Sequence, residues 1–237
     1  QNMTKKKAFT FVEVMITIAI LGIIAALIIP TLLAGINERR WITGCKKAYT
    51  TLSQATDAAI LDRGPLKDWP GADADSEKVY RYFAQHLNIT KECLQKSGCW
   101  TRNIKGLNGS TNVSNFTDQG YGTPAISFKT ADGMNMAFDL QPADTVAGGT
   151  WQGVSRDYNI TNRTDKNQAM YTFHVDVNGD QGPNVIGKDI YNFVVTQKGL
   201  VPAGDKDSED NGCNKNTDGM MCAARVLGEG KMSYLHE

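Results

Sequence analysis

Asp176, Asn178 and Asp180 alternate in the stretch DVNGDQGPN, and hard oxygen ligands at such spacing suit a calcium ion. The stretch starts like a D-x-N-x-D calcium loop, but Gly182 falls one place late and no glutamate stands at the twelfth position. A Gly/Asn/Pro-rich turn joining two strands accounts for the same residues, and those departures favour it. Cysteine is the second reactive type, with Cys45, Cys93, Cys99, Cys213 and Cys222. None forms a CxxC pair, and His86, His174 and His236 are scattered, so the ligand spacing of a structural zinc site is missing. Cys93 with Cys99, and Cys213 with Cys222, close short loops in polar surroundings, which fits disulfides made in an oxidising compartment. Two pairs of reduced surface thiols are the alternative. Cys45 is left unpaired. No GxSxG, HExxH or Gly-rich phosphate loop occurs, and nothing couples a histidine to a nucleophile, so no enzyme is expected.

The remaining chemical oddity is a charge. From Phe9 to Leu33, in KKKAFTFVEVMITIAILGIIAALIIP and the residues after it, Glu13 is the only ionisable side chain. A carboxylate in a segment fit to span a membrane is costly and marks a functional residue. Val14 to Leu33 is long enough as a helix, about 30 Å at 1.5 Å per residue, to cross a bilayer core. Lys5, Lys6 and Lys7 before it predict a cytoplasmic N-terminus and an exported C-terminal part. The run exceeds the apolar core of a secretory signal peptide. A plain anchor explains the length and the lysines but leaves Glu13 unexplained, unless it snorkels to the lipid headgroups.

The same stretch resembles the N-terminal cleavage and methylation segment of type IV pilins and type II secretion pseudopilins. There a short basic leader ends in a small residue, a prepilin peptidase cuts before the apolar run, and the new N-terminal residue is N-methylated. A glutamate follows at the fifth mature position, with a glycine and a proline farther on. The resemblance implies cleavage between Ala8 and Phe9, methylation of Phe9, and matching places for Glu13, Gly22 and Pro30. Ala8 departs from the usual glycine, which bears on the efficiency of processing and not on its position. Cleavage leaves a positive amine on Phe9 that methylation preserves. In a filament core that amine is buried, and Glu13, about 6 Å along the helix, can meet the Phe9 amine of a neighbouring subunit. The family also associates the stretch between Gly22 and Pro30 with a kink or loosening of the helix.

Elements must carry these residues. Trp41, Cys45, Ala48, Leu52, Ala55 and Ala59 form an amphipathic helical stripe that continues the apolar helix, so one helix is predicted over 10–62, ended by Gly64 and Pro65. Cys45 lies in that stripe as a buried, inert thiol. SEKVYRYFAQHLNI reads as a short helix capped by Ser76, with Val79, Tyr82, Phe83 and Leu87 on one face. PAISFKTADGMNMAFDL alternates around Asp132-Gly133 as a hairpin, and further strands are predicted over 170–177 and 190–202. GDKDSEDNGCNKNTDGMMC gathers Asp205, Asp207, Glu209, Asp210 and Asp218 in a long polar loop whose role, partner contact, calcium clamp or solvation, stays open. The predicted fold is α+β: a long N-terminal helix, its first half membrane-spanning, packed on a C-terminal antiparallel sheet. The expected division is a leader over 1–8, a filament-core helix over 9–33, its amphipathic continuation over 34–62 and a globular part over 63–237.

Charge is balanced at 25 basic and 25 acidic side chains, so no global field points to nucleic acid, and none is assigned as a partner. The resemblance implies a structural subunit and no cofactor. It implies as partners further copies of the chain, related pilin-like subunits, the prepilin peptidase, a cytoplasmic assembly ATPase, an inner-membrane platform protein and the lipid of the inner membrane. Its site would be the bacterial inner membrane, crossed once, and then a filament outside the cytoplasm serving secretion, adhesion or motility, or DNA uptake. Two other classes remain: a secreted adhesin or binding domain with an ordinary signal peptide, and a membrane-anchored enzyme.

Overall fold

A single run of helix-forming residues without an internal break signal strong enough to stop it makes α1, Phe11–Arg63, a helix of 53 residues. The computed structural model describes residues 9–70, 75–94, 96–111, 126–142, 169–196, 199–204 and 212–237. Two compact units divide between Arg39 and Arg40, and α1 contributes to both.

The first unit contributes the apolar part of α1. Over Phe11–Ile29 its mean hydropathy is 2.8 and none of it is buried. A helix greasy on every side has no stripe to turn towards a water-soluble core, and its length and composition fit a membrane-anchored segment.

The second unit begins with the amphipathic part of α1. Cys45, Ala48, Leu52, Ala55 and Ala59 are all buried, while Trp41 is half-buried. Small side chains in that stripe let the helix approach the sheet closely. Gly44 marks one such close approach: a Cβ there would stand 2.7 Å from Cβ of Val177. After a short 3-10 turn at Leu66–Asp68 comes α2, Ser76–Ala84, capped by the Asp75 carboxylate, which accepts from the Glu77 N–H at 2.9 Å. Ser76 is thus the first helical residue and not the cap. Asp75 wins because its carboxylate both accepts a hydrogen bond and favours the positive end of the helix dipole. Tyr80, and not Tyr82, is fully buried beside Val79 and Phe83; Tyr82 is half-buried at the edge of Trp69, 5.3 Å between ring centroids.

Six strands follow: β1 Ile89–Leu94, β2 Ile126–Thr130, β3 Asn135–Pro142, β4 Ala169–Asp176, β5 Ile190–Thr196 and β6 Gly199–Pro202. Each pairs antiparallel with its neighbour in sequence, giving one sheet of order β1-β2-β3-β4-β5-β6. The Asp132-Gly133 turn joins β2 to β3 as expected, with Gly133 at φ 87°. The stretch predicted as one strand over 190–202 is two, β5 and β6, paired with each other. Gly199 at φ 99° starts the second, a conformation that a side chain would strain. The short helix α3, Cys222–Glu229, and β1 were not expected from the sequence.

Side-chain alternation gives the sheet two buried faces. Tyr171, Phe173 and Val175 of β4 face the core shared with α1 and α2, where the Phe83 and Phe173 rings meet edge-on at 5.1 Å. Thr172, His174 and Asp176, on the opposite face, are buried too. On that face Trp100, Ile104, Ile186, Ile190, Val194 and Met221 belong to a second apolar cluster. The architecture is α+β, an N-terminal apolar helix followed by helices and a six-stranded antiparallel sheet.

Candidate functional site

The start of α1 is built by two residues. Thr10 stands just before the helix and Glu13 three residues on. The Glu13 N–H donates to the Thr10 hydroxyl oxygen at 3.3 Å, and the Thr10 N–H donates to Glu13 Oε2 at 2.8 Å. The Thr10 hydroxyl also donates to Oε2, at 2.9 Å. This reciprocal pair is a capping box, which satisfies backbone N–H groups that the first turn of any helix leaves without partners. A negative side chain there also suits the positive end of the helix dipole. Glu13 therefore has a role within its own chain that reading it as a lone charge passes over. The signal was present: T-F-V-E is the T-x-x-E spacing ahead of an apolar run. Thr10 is the capping partner of Glu13 that the sequence analysis does not single out.

Around this cap the surface is apolar and open. Phe9 is 84% exposed and Phe11 78%. Gly22 lies within α1 with nothing within 4 Å of the place its Cβ would take, so space inside this chain does not require glycine there. Backbone helix continues through Pro30, which has no N–H to offer the carbonyl four residues back, that of Ala26. Ala8 lies outside the described residues, as do residues 205–211 of the acidic loop.

In the second unit Cys93 is bonded to Cys99 and Cys213 to Cys222, while Cys45 is free and buried. Burial pushes the Cys45 thiol well above its ordinary range, which suppresses the thiolate that reacts. The Cys213–Cys222 bond ties α3 to the segment that returns from the acidic loop.

Asp176, Asn178 and Asp180 each have hydrogen-bond partners within the chain. The Asp180 carboxylate is held by Lys129 Nζ at 2.7 Å and by Asn135 Nδ2 at 3.0 Å. Those bonds hold its pKa below the ordinary carboxylate value. Asp176 is fully buried and accepts from the Thr101 hydroxyl and from the Asn178 N–H. Asn178 Nδ2 donates to the Gly182 carbonyl at 3.0 Å. Burial raises the Asp176 pKa to about 7, with the nearby Asp189 carboxylate adding to the rise. These contacts do the work of a structured turn: they tie the end of β4 to β2, β3 and the Thr101 loop. A lysine ammonium already neutralises Asp180, and among the described residues no group of three or more His, Cys, Asp or Glu side chains is placed to hold a metal ion.

A family model described as the prokaryotic N-terminal methylation motif matches residues 3–29. That motif, on an exposed apolar helix followed by an α+β unit, supports a protein of the type IV pilin and pseudopilin class. The class is structural and not enzymatic. No curated protein and no solved structure matches the chain.

Proposed function

We propose that the chain is a filament subunit, cut between Ala8 and Phe9 by a prepilin peptidase, methylated at Phe9 and polymerised through its N-terminal helix. The observation that carries this reading is the methylation motif at residues 3–29, laid on a helix whose apolar surface over Phe11–Ile29 is left unburied by the described residues. Before assembly that surface is covered by the lipid of the inner membrane, with the N-terminus in the cytoplasm and the sheet-bearing unit exported. In the filament it is covered by the same helix of other copies and of related subunits. A cytoplasmic ATPase and an inner-membrane platform protein would supply the work of extracting each subunit from lipid.

The Phe9 amine created by cleavage is charged near neutral pH and enters the filament core with every subunit. Glu13 of a neighbouring copy is the group to neutralise it, because its carboxylate stands at the same helix end and keeps accepting capacity beyond the Thr10 bonds. Such a pair sets register along the fibre as a buried polar residue does in a coiled coil. Mass spectrometry of the mature chain tests the reading. An N-methylated Phe9 as first residue is expected; an intact leader, or an N-terminus beyond Pro30, refutes it and favours a plain anchor or an ordinary signal peptide.

A further inference from the structure

The two edges of the sheet are finished differently. At one end β6 is buried from Gly199 to Val201, and α3 packs beside it, the Ala224 N–H donating to the Ala203 carbonyl at 3.0 Å. At the other end β1 pairs only with β2 among the described residues, and Thr90, Lys91 and Glu92 are exposed. A sheet edge left open in this way offers backbone N–H and C=O groups to another chain.

Beside β1 an open groove of about 610 Å³ is lined by residues of α1, α2 and β1. Arg63, Arg81 and Lys91 bring three cations to the lining against the single carboxylate of Glu92. Arg81 is already engaged, donating to both Glu92 oxygens at 3.0 Å and to Glu77 at 3.2 Å. Arg63 lies over the Tyr82 ring at 4.7 Å, and Lys91 donates to the Gly98 carbonyl at 3.2 Å, both neutral partners. The acids nearest them are taken. Asp62 is held by Gln85 at 3.4 Å and His86 at 3.1 Å, and Asp180, which feels the Lys91 charge, is held by Lys129 at 2.7 Å. Arg63 and Lys91 therefore keep their pull on an incoming anion.

A second copy of β1 fits this edge badly. Residues directly opposite in an antiparallel pair point to one face, so a two-fold pairing of identical strands sets one residue against itself. Centred on the middle of β1, that residue is Lys91 or Glu92, and like charges directly opposite destabilise. We infer that the β1 edge takes an extended acidic segment of another protein as an added strand, with its carboxylates drawn to Arg63 and Lys91. Backbone hydrogen bonds give such a strand its affinity, and the groove beside the edge gives it selectivity. The inference goes beyond the filament reading and does not depend on it. Because the cations are exposed, the contact weakens as salt rises.

Fluorescence anisotropy tests the inference, with the full-length chain in detergent titrated into a labelled peptide that alternates glutamate with valine over the 6 residues of β1's own length. Saturable binding that weakens with salt is expected; no saturation, or equal binding by the same peptide with lysine for glutamate, overturns the contact. Arg63→Glu with Lys91→Glu should weaken binding about tenfold or more, and unchanged affinity overturns it. A second measurement leaves the protein unaltered. In an added strand only every second N–H of the peptide points at β1. Methylating the glutamate N–H groups in one peptide and the valine N–H groups in another should therefore abolish binding in one and spare it in the other. Equal affinity of the two shows charge attraction without strand addition and overturns the contact. A Thr90→Cys chain that oxidises to a linked homodimer and no longer takes the peptide assigns the edge to a second copy, which also overturns it. None of these readouts needs filaments, so their absence from cells would refute the filament reading alone.

Discussion

Glu13→Gln separates the two tasks that Glu13 can perform. A glutamine three residues after the capping threonine still accepts the Thr10 N–H, so the capping box survives while the charge is lost. Thr10→Ala does the reverse, removing the acceptor for the Glu13 N–H and keeping the carboxylate. Losing such a cap costs about 1 kcal/mol, roughly a fivefold effect, and here it falls on one end of a 53-residue helix. A Phe9 amine buried without its partner costs about 3–5 kcal/mol, which is on the order of a hundredfold or more for each subunit added. If neutralisation of that amine is the role, Glu13→Gln and Glu13→Leu insert and mature normally but lose filaments a hundredfold or more. Thr10→Ala then stays within about fivefold of the wild type. Insertion, cleavage after Ala8 and sedimentable filaments are measured side by side for the three variants. Normal filaments from Glu13→Gln together with a defect in Thr10→Ala would refute the charge pair and make Glu13 a cap.

Three predictions concern the sheet-bearing unit. Burial lifts the Asp176 carboxyl from its ordinary 3.8 to about 7, so its contribution to stability is complete below pH 3.8 and is lost as pH rises through about 7. Asp176→Asn should therefore gain on the wild type between pH 5 and pH 8, by about 3 kcal/mol; urea midpoints that keep the same spacing at both pH values contradict this. Gly44→Ala drives a methyl to 2.7 Å from Val177 Cβ and should destabilise by about 1–3 kcal/mol, with Val177→Ala restoring much of it in the double variant. An unchanged urea midpoint in Gly44→Ala shows that the helix yields there. Replacing both Cys213 and Cys222 by alanine opens a loop closed over a separation of 9 and should cost about 3 kcal/mol, read as a loss of protease resistance around α3. Unchanged resistance counts against a stapling role.

Reading Phe11–Ile29 as an apolar helix, Cys45 to Ala59 as a buried stripe and Asp132-Gly133 as a hairpin needed no partner from elsewhere in the chain. Each depends on a period, a run of composition or a turn residue within a few positions, and local signals of that kind survive whatever the rest of the chain does. The Thr10–Glu13 cap was equally local and equally legible. The two short cysteine loops were local as well, because a separation of 6 or 9 closes at little entropic cost. Other features came only from the folded chain. Lys129 meets Asp180 across 51 positions and Thr101 meets Asp176 across 75, partners that the local D-x-N-x-D spacing does not contain. β1, mostly exposed and poor in apolar residues, is a strand because β2 lies beside it to complete the ladder. β5 and β6 divide at Gly199, and Tyr80 displaces Tyr82 from the core, because the packing of α2 on the sheet selects one face among several that periodicity allows. Such choices depend on the free energy of contacts between distant segments, which no window of neighbouring residues contains.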